Sequence, residues 1–316
     1  MTRARQDGQA YVITILFLVV LCGMAAAVLD VGAWYRAQRA LQASVDSAAL
    51  AGAQELPYDP GTAQSVALNY AAKNGGGVKS GDVSFSTKFV ANDTITVKGK
   101  RPAPGFFSKV FGLDSVTVAA KATARAADVS SVHGVAPITV HYKHPLLNCT
   151  NGSNPTCNPT FDTPTTLDLE DIHQPGSGNG SGAFGLINLN QNDSTGTASA
   201  GTLADWLLKG YDGDLPTGQY YSAPSANFNN SQFISAMNVQ LGQELLFPVY
   251  RLLTGPGSNA KYDIIGWVGF KVSWFDPNGN PALIKGVFTK YIADGVQVTS
   301  GGGGPHLGVR SVQLVE

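Results

Sequence analysis

Residues 10–29 read AYVITILFLVVLCGMAAAVL, twenty positions without a charge. At about 1.5 Å of rise per residue, such a run covers the roughly 30 Å hydrocarbon core of a bilayer. The pattern predicts a membrane-spanning helix with Ala10, Leu16, Leu21 and Leu29 inside the span. From Asp30 the apolar positions thin out but keep a helical period. Val31, Trp34, Leu41, Val45, Ala48, Ala49 and Gly52 recur mostly at three- and four-residue steps, one face of an amphipathic helix. No proline interrupts the chain before Pro57. One helix of about 70 Å is therefore expected from Ala10 to Leu56, with less than half of it in lipid. Asp30 would emerge at the water interface. Asp46 would pair with a neighbouring helix or face water. Ala48, Ala49, Gly52 and Ala53 are small enough to admit a second element closely, from this protein or from a partner.

Beyond Pro57 the periods shorten. Residues 63–74 predict a helix with Ala63, Val66, Ala67 and Tyr70 on one face. Val83, Phe85, Thr87 and Phe89 alternate with polar residues, as do Ile95 and Val97, so two strands are expected around a turn at 91–93. Pro104 is expected to open a short apolar helix over Phe106–Phe111, closed by Gly112 and packed into a core. Val116, Val118, Ala120 and Ala122 mark a third strand. After residue 127 strands dominate: 184–189, 245–250, a long strand within 262–275, and 283–292, with short helices at 203–209 and 232–241. In the long strand, Ile264, Val268, Phe270, Val272 and Trp274 are expected on one face and Ile265, Trp267 and Phe275 on the other. The fold class is α+β: a transmembrane helix continuing into a long amphipathic helix, a small α+β domain, then a β-rich domain. The expected boundaries are 1–56, 57–128 and 129–316.

The N-terminal segment carries a resemblance. Gly8, the apolar run, Asp30-Val31-Gly32, Tyr35, Arg39, Leu41-Gln42 and the element Asp46 to Ala53 follow one another as in TadE/TadG-like Flp pilus-assembly proteins. The resemblance implies an inner-membrane anchor, a role in building or tethering adhesive pili, and pilus-assembly proteins or pilin-like helices as partners beside membrane lipid. Five residues after Gly8 stands Ile13, where a pilin-like segment would carry glutamate. Prepilin-peptidase cleavage is not expected, which points to a TadG-type accessory protein. On this reading Asp30, Trp34, Leu41, Val45, Asp46, Ala49 and Gly52 form the packing and interaction face.

Composition narrows the choice. With 14% charged residues and a net charge of −1, the chain has no global attraction for nucleic acid. Lys98, Lys100 and Arg101, the densest basic patch, fit a solvated strand edge. Cys149 and Cys157 bracket a loop of Asn, Gly, Ser and Pro and suit a disulfide in an oxidising compartment. Cys22 lies in the apolar run. A cleaved signal peptide is the rival to the anchor: Arg3 and Arg5 precede an apolar stretch and Ala25–Ala27 resemble a cleavage site. The apolarity running on past Ala27 favours the anchor, with residues 1–9 cytoplasmic and the head extracytoplasmic.

No catalytic, cofactor or metal site is assigned. GxSxG and HExxH do not occur. His133, His141 and His144 lack ligand spacing. Asp276, Asn278 and Asn280 imitate the opening of a calcium loop, but the twelfth position is Val287. Asp162, Asp168, Glu170, Asp171 and His173 form an acidic stretch that glycosidase chemistry would need held at a defined separation. No small-molecule substrate is identified. The reading is a structural or tethering accessory protein. The alternatives are a displayed glycan- or matrix-binding module and, less favoured, a secreted hydrolase.

Overall fold

The computed structural model describes residues 7–168, 185–190, 198–223, 228–255, 260–278, 282–293 and 305–315. The chain divides into two compact units, one formed by residues to Ala126 together with those from Gln313, the other by Ala127–Val312. Helices are few and strands dominate the second unit, a mixed α+β protein.

In the first unit, α1 (Asp7–Ala53) is one uninterrupted helix of 47 residues. It passes through Ala25–Ala27 without a break. α2 (Pro60–Lys73) starts where Asp59 accepts the Thr62 N–H at 2.9 Å and the Thr62 hydroxyl at 2.7 Å, with Pro60 in the first turn. Its buried face is Ala63, Ala67 and Ala71. Tyr70, expected on that face, is exposed, and the Lys73 ammonium lies over its ring. The face is built of alanines because α2 packs tightly on α1. The buried Ser44 hydroxyl lies 3.1 Å from the carbonyls of Ala71 and Gly76 and pins the C-terminal end of α2.

Three antiparallel strands follow: β1 (Val83–Ser86), β2 (Thr94–Pro104) and β3 (Ser115–Ala127), in that spatial order. The register sets Val83 opposite Val97, Ile95 opposite Ala124 and Pro104 opposite Ser115. Ile95, Val97, Gly99 and Ala103 face inward while Lys98 and Lys100 face water. β2 is thus a central strand, and the basic patch is not a solvated edge: Lys98 and Lys100 lie on a solvated face, whereas Arg101 turns toward α1. Before β2, the buried Asp93 carboxylate accepts the N–H groups of Lys88, Phe89 and Val90 and the Thr94 hydroxyl, at 2.8–3.1 Å.

The expected helix over Phe106–Phe111 needs correction. Pro104 ends β2, and only Ser108–Phe111 forms a 3-10 turn, closed by Gly112 in a left-handed conformation. The phenylalanines are not core: Phe106 and Phe111 are 74% and 82% exposed.

The second unit holds β4 (Ser131–Val132), β5 (Val140–His141), β6 (Pro164–Asp168), α3 (Ala200–Lys209), β7 (Leu215–Pro216), β8 (Gly218–Tyr221), α4 (Ser231–Gln240), β9 (Glu244–Thr254), β10 (Lys261–Asp276), β11 (Leu283–Thr289), β12 (Tyr291–Ile292) and β13 (Val309–Leu314) up to Val312. Its main sheet runs β5-β9-β10-β11-β6, with β8 also on β10. α3 and α4 pack together; the Gln240 side chain donates to the Leu207 and Leu208 carbonyls at 3.0 and 3.1 Å, closing the end of α3. Phe233, Met237, Phe247, Phe270 and Phe288 fill the core beneath them.

Trp274 is a second correction. The register shifts between Val272 and Trp274, so the alternation changes sides there. Trp274 becomes 41% exposed under the Lys285 ammonium, whereas Phe275 packs on Phe228 and Phe233.

Two expectations follow for the first unit. Leu41→Ala removes a fully buried side chain of α1 and is expected to lower the unit's stability by about 2–5 kcal/mol. The exposed control Ala43→Ser should stay within about 0.5 kcal/mol; urea melts of the detergent-solubilised chain separate the two. Asp93 carries a pH signature. Burial alone raises its pKa, but the hydrogen bonds from Phe89, Lys88, Val90 and Thr94 outweigh that and hold it below the ordinary 3.8. Its folded pKa lies below its unfolded one, so its contribution is present above pH 3.8 and is lost as pH falls through the lower folded value. Asp93→Asn should therefore destabilise by about 1–3 kcal/mol at neutral pH, and the gap to the parent should close in acid.

Candidate functional site

The residues singled out along α1 fall into three stretches. The first is the apolar run. Tyr11, Leu16, Phe17, Val20 and Leu29 are each more than half exposed, around the whole circumference of the helix. An all-round apolar helix with no protein against it is suited to lipid. Leu16, Leu21 and Leu29 lie here; Ala10 is helical, with its side chain outside the described set.

The third stretch is buried. Leu41, Val45, Ala48, Ala49 and Ala53 are completely covered. The small residues meet close neighbours. A methyl group on Gly52 would lie 2.7 Å from Ile95 Cδ1 and 2.9 Å from the Ala63 carbonyl oxygen. One on Gly99 of β2 would lie 2.8 Å from Val45 Cγ1 and 3.0 Å from Leu41 Cδ1. Leu41 also packs with Ala103 and Val118, and Trp34 and Ala37 extend that cluster toward the membrane end. Asp46 accepts from the Gln42 amide at 2.7 Å, which turns Gln42 to donate to the Lys121 carbonyl of β3 at 3.0 Å.

The middle stretch joins the two. Arg101 of β2 reaches across to donate to the Ala37 carbonyl at 2.7 Å. Asp30 does not emerge into water, as the sequence suggested. It is 2% exposed and lies beneath the β2–β3 connection. Its carboxylate accepts the backbone N–H groups of Phe106 at 2.8 Å, Phe107 at 3.0 Å and Ser108 at 2.5 Å. Charge-assisted bonds of this kind are among the stronger ones in proteins.

Helix and strand measure the same distance. Asp30 to Gly52 spans about 33 Å of helix, and Ile95 to Phe106 spans about 36 Å of strand. β2 therefore runs down α1 from Gly52 to Asp30, and its far end arrives where the uncharged run stops. Sequence reasoning found Asp30 but not its partners. The available signal was an acidic residue at the end of an apolar run; which amides it meets is decided by the tertiary fold.

The histidines do separate local work. His133 pairs with Asp214 at 2.9 Å. His141 stacks near Tyr142 and Tyr250. His144 accepts the Leu146 N–H through Nδ1, leaving Nε2 toward the Thr165 hydroxyl at 3.1 Å, and burial lowers its pKa. Among the described residues no three His, Cys, Asp or Glu side chains gather as a metal site. Cys149 and Cys157 are joined in a disulfide. Asp162 donates its N–H to the Phe288 carbonyl at 2.9 Å. The Asp168 side chain, Glu170, Asp171, His173 and Asn280 lie outside the described residues. The second unit also holds a cleft of about 720 Å³ lined by Asn154, Arg251, Asp263, Trp267 and His306. Arg251 pairs with Asp263 there at 2.6 Å.

Residues 8–55 match the Tad family model, described as "Putative Flp pilus-assembly TadE/G-like". That match and the exposed apolar helix fit a membrane-anchored pilus-assembly protein. The matched stretch contains Asp30, Trp34, Leu41, Val45, Asp46, Ala49 and Gly52, and stops before the first-unit strands and helix that pack on α1. No curated protein and no solved structure matches the chain.

Asp30→Ala would leave the three amides without their acceptor. The freed amides regain water when the turn opens, so the net loss is about 1–3 kcal/mol in all, and the 105–113 turn should open about 5- to 150-fold more often. Chymotrypsin cleavage after Phe106 or Phe107 in detergent should accelerate by that factor, with cleavage in the second unit unchanged.

Proposed function

We propose that the chain is a single-pass accessory protein of Flp/Tad-type pilus assembly with a structural, tethering role and no catalytic activity of its own. Residues 1–9 face the cytoplasm, residues 10–29 cross the inner membrane, and the head lies outside it. One observation carries this reading: the apolar run and the buried face of Leu41, Val45 and Ala49 belong to a single helix. A force on the first unit's sheet is therefore transmitted to the membrane span through packed residues and not through a slack linker. The Cys149–Cys157 disulfide agrees with this orientation; the basic residues are nearly balanced, Arg3 and Arg5 ahead of the run against Arg36 and Arg39 behind it, and only the amino terminus tips them the same way. The unbroken helix across Ala25–Ala27 supports an anchor that stays attached.

A second reading, a displayed module that binds glycan or matrix, draws on the cleft beside Arg251 and Trp267. It shares the anchor and differs only in what the head meets.

In a piliated host, protease added outside the inner membrane should remove the head and leave a short protected N-terminal fragment. Leu41→Asp and Val45→Asp should keep membrane insertion but lose crosslinks to pilus-assembly proteins and reduce pilus output. A soluble product starting at Val28 would contradict the anchor, and unchanged pilus output would contradict the tethering role.

A further inference from the structure

The β2–β3 connection is apolar, exposed and held at a defined height. Phe106, Phe107 and Leu113 are 74%, 44% and 54% exposed, and Val110 and Phe111 are both 82% exposed. Scattered apolar side chains on a surface need no explanation, but five within eight residues form a patch that marks a contact. We propose that residues 105–113 are a second membrane contact. Their side chains enter the headgroup–acyl boundary of the leaflet on the head's side, next to the spanning helix. The proposal rests on the reading that residues 10–29 cross the bilayer.

Position argues for lipid. Asp30 is the first charged residue after the uncharged run, and it binds the amides of Phe106, Phe107 and Ser108 directly. The loop is thereby fixed within one residue of the end of the uncharged run. Just over one turn further along α1 stands the exposed Tyr35, a residue type that favours the membrane–water interface. Lys109 is exposed on the same turn and long enough to bring its ammonium back to lipid phosphates.

The backbone of the loop argues the same way. Lipid cannot satisfy peptide groups, so an inserted loop must pair its own. The N–H groups of Phe106 to Ser108 go to Asp30. Gly105 donates to the Asp114 carbonyl, Val110 to Phe107, Gly112 to Lys109 and Leu113 to Ser108, all at 3.0–3.1 Å. The Ser108 hydroxyl closes on the Leu113 carbonyl at 2.9 Å. Asp30 thus both sets the height of the loop and removes its most expensive polar groups from the lipid.

The test uses the full chain in phosphatidylcholine vesicles, with an environment-sensitive fluorophore on one cysteine at a time. Natural Cys22 reports the span. Phe111→Cys and, independently, Val110→Cys report the loop in a Cys22→Ala background. Ala91→Cys, exposed at the opposite end of β2, reports water. Lipids spin-labelled near the top of the acyl chain should quench the loop probes at least about twofold, as expected for side chains about 5–10 Å into the boundary, and leave the Ala91→Cys probe unchanged. Quenching at Cys22 with both loop probes behaving like Ala91→Cys would overturn the proposal while sparing the span, and would leave the patch to a protein partner. An unquenched Cys22 would remove the span and the proposal with it.

Discussion

The contact of β2 with the last six turns of α1 sets the rest of the N-terminal unit. A strand advances about twice as far per residue as a helix, so the eleven residues of β2 accompany about two dozen residues of α1. The close approach needs Gly52 and Gly99, whose missing side chains leave room for Ile95, Val45 and Leu41. Once β2 lies there, β1 and β3 follow by pairing, and α2 meets Gly52 through Ala63 and Ala67 beside Ile95. The residues that bind the strand are continuous with the residues that meet lipid. The orientation of the first unit's sheet relative to the span is therefore a property of one helix.

Asp30 closes this arrangement at its membrane end. An unpaired carboxylate so near hydrocarbon would be expensive. Three amides and a short turn make it a structural joint instead. Arg101 on Ala37 and Gln42 on Lys121 are the corresponding joints further up. Each links the helix backbone or a helix side chain to a strand, so sliding the hairpin along the helix would break all three.

Much of this was legible in the sequence because period survives packing. The uncharged run, the helical face through Leu41 and Val45, and the alternating strands all express geometry directly. The alanine face of α2 was less legible, since Tyr70 and Ala71 occupy neighbouring positions and only packing decides between them. A register shift at one residue moved Trp274 to the surface, and a bulge has no signature in alternation. β6 escaped because Leu167 is the only buried residue among its described side chains, as suits a strand at a sheet's end. The phenylalanine turn escaped for a different reason. Apolar content shows that a segment avoids water, not what covers it, and here the cover is not the protein's own core. Asp30 was visible as an acidic residue at a boundary, but its acceptor role lies in amides 76 to 78 positions away.

The central claim is that α1 beyond the membrane is part of the first unit's core and not a tether to it. Hydrogen exchange of the membrane-reconstituted chain, followed across increasing urea, tests this most directly. Amides of α1 between Ala37 and Ala53 and amides of β2 between Ile95 and Ala103 should converge on one opening free energy and exchange in a single cooperative step. Two separate openings, with β2 keeping its protection after the helix has lost its own, would contradict the account.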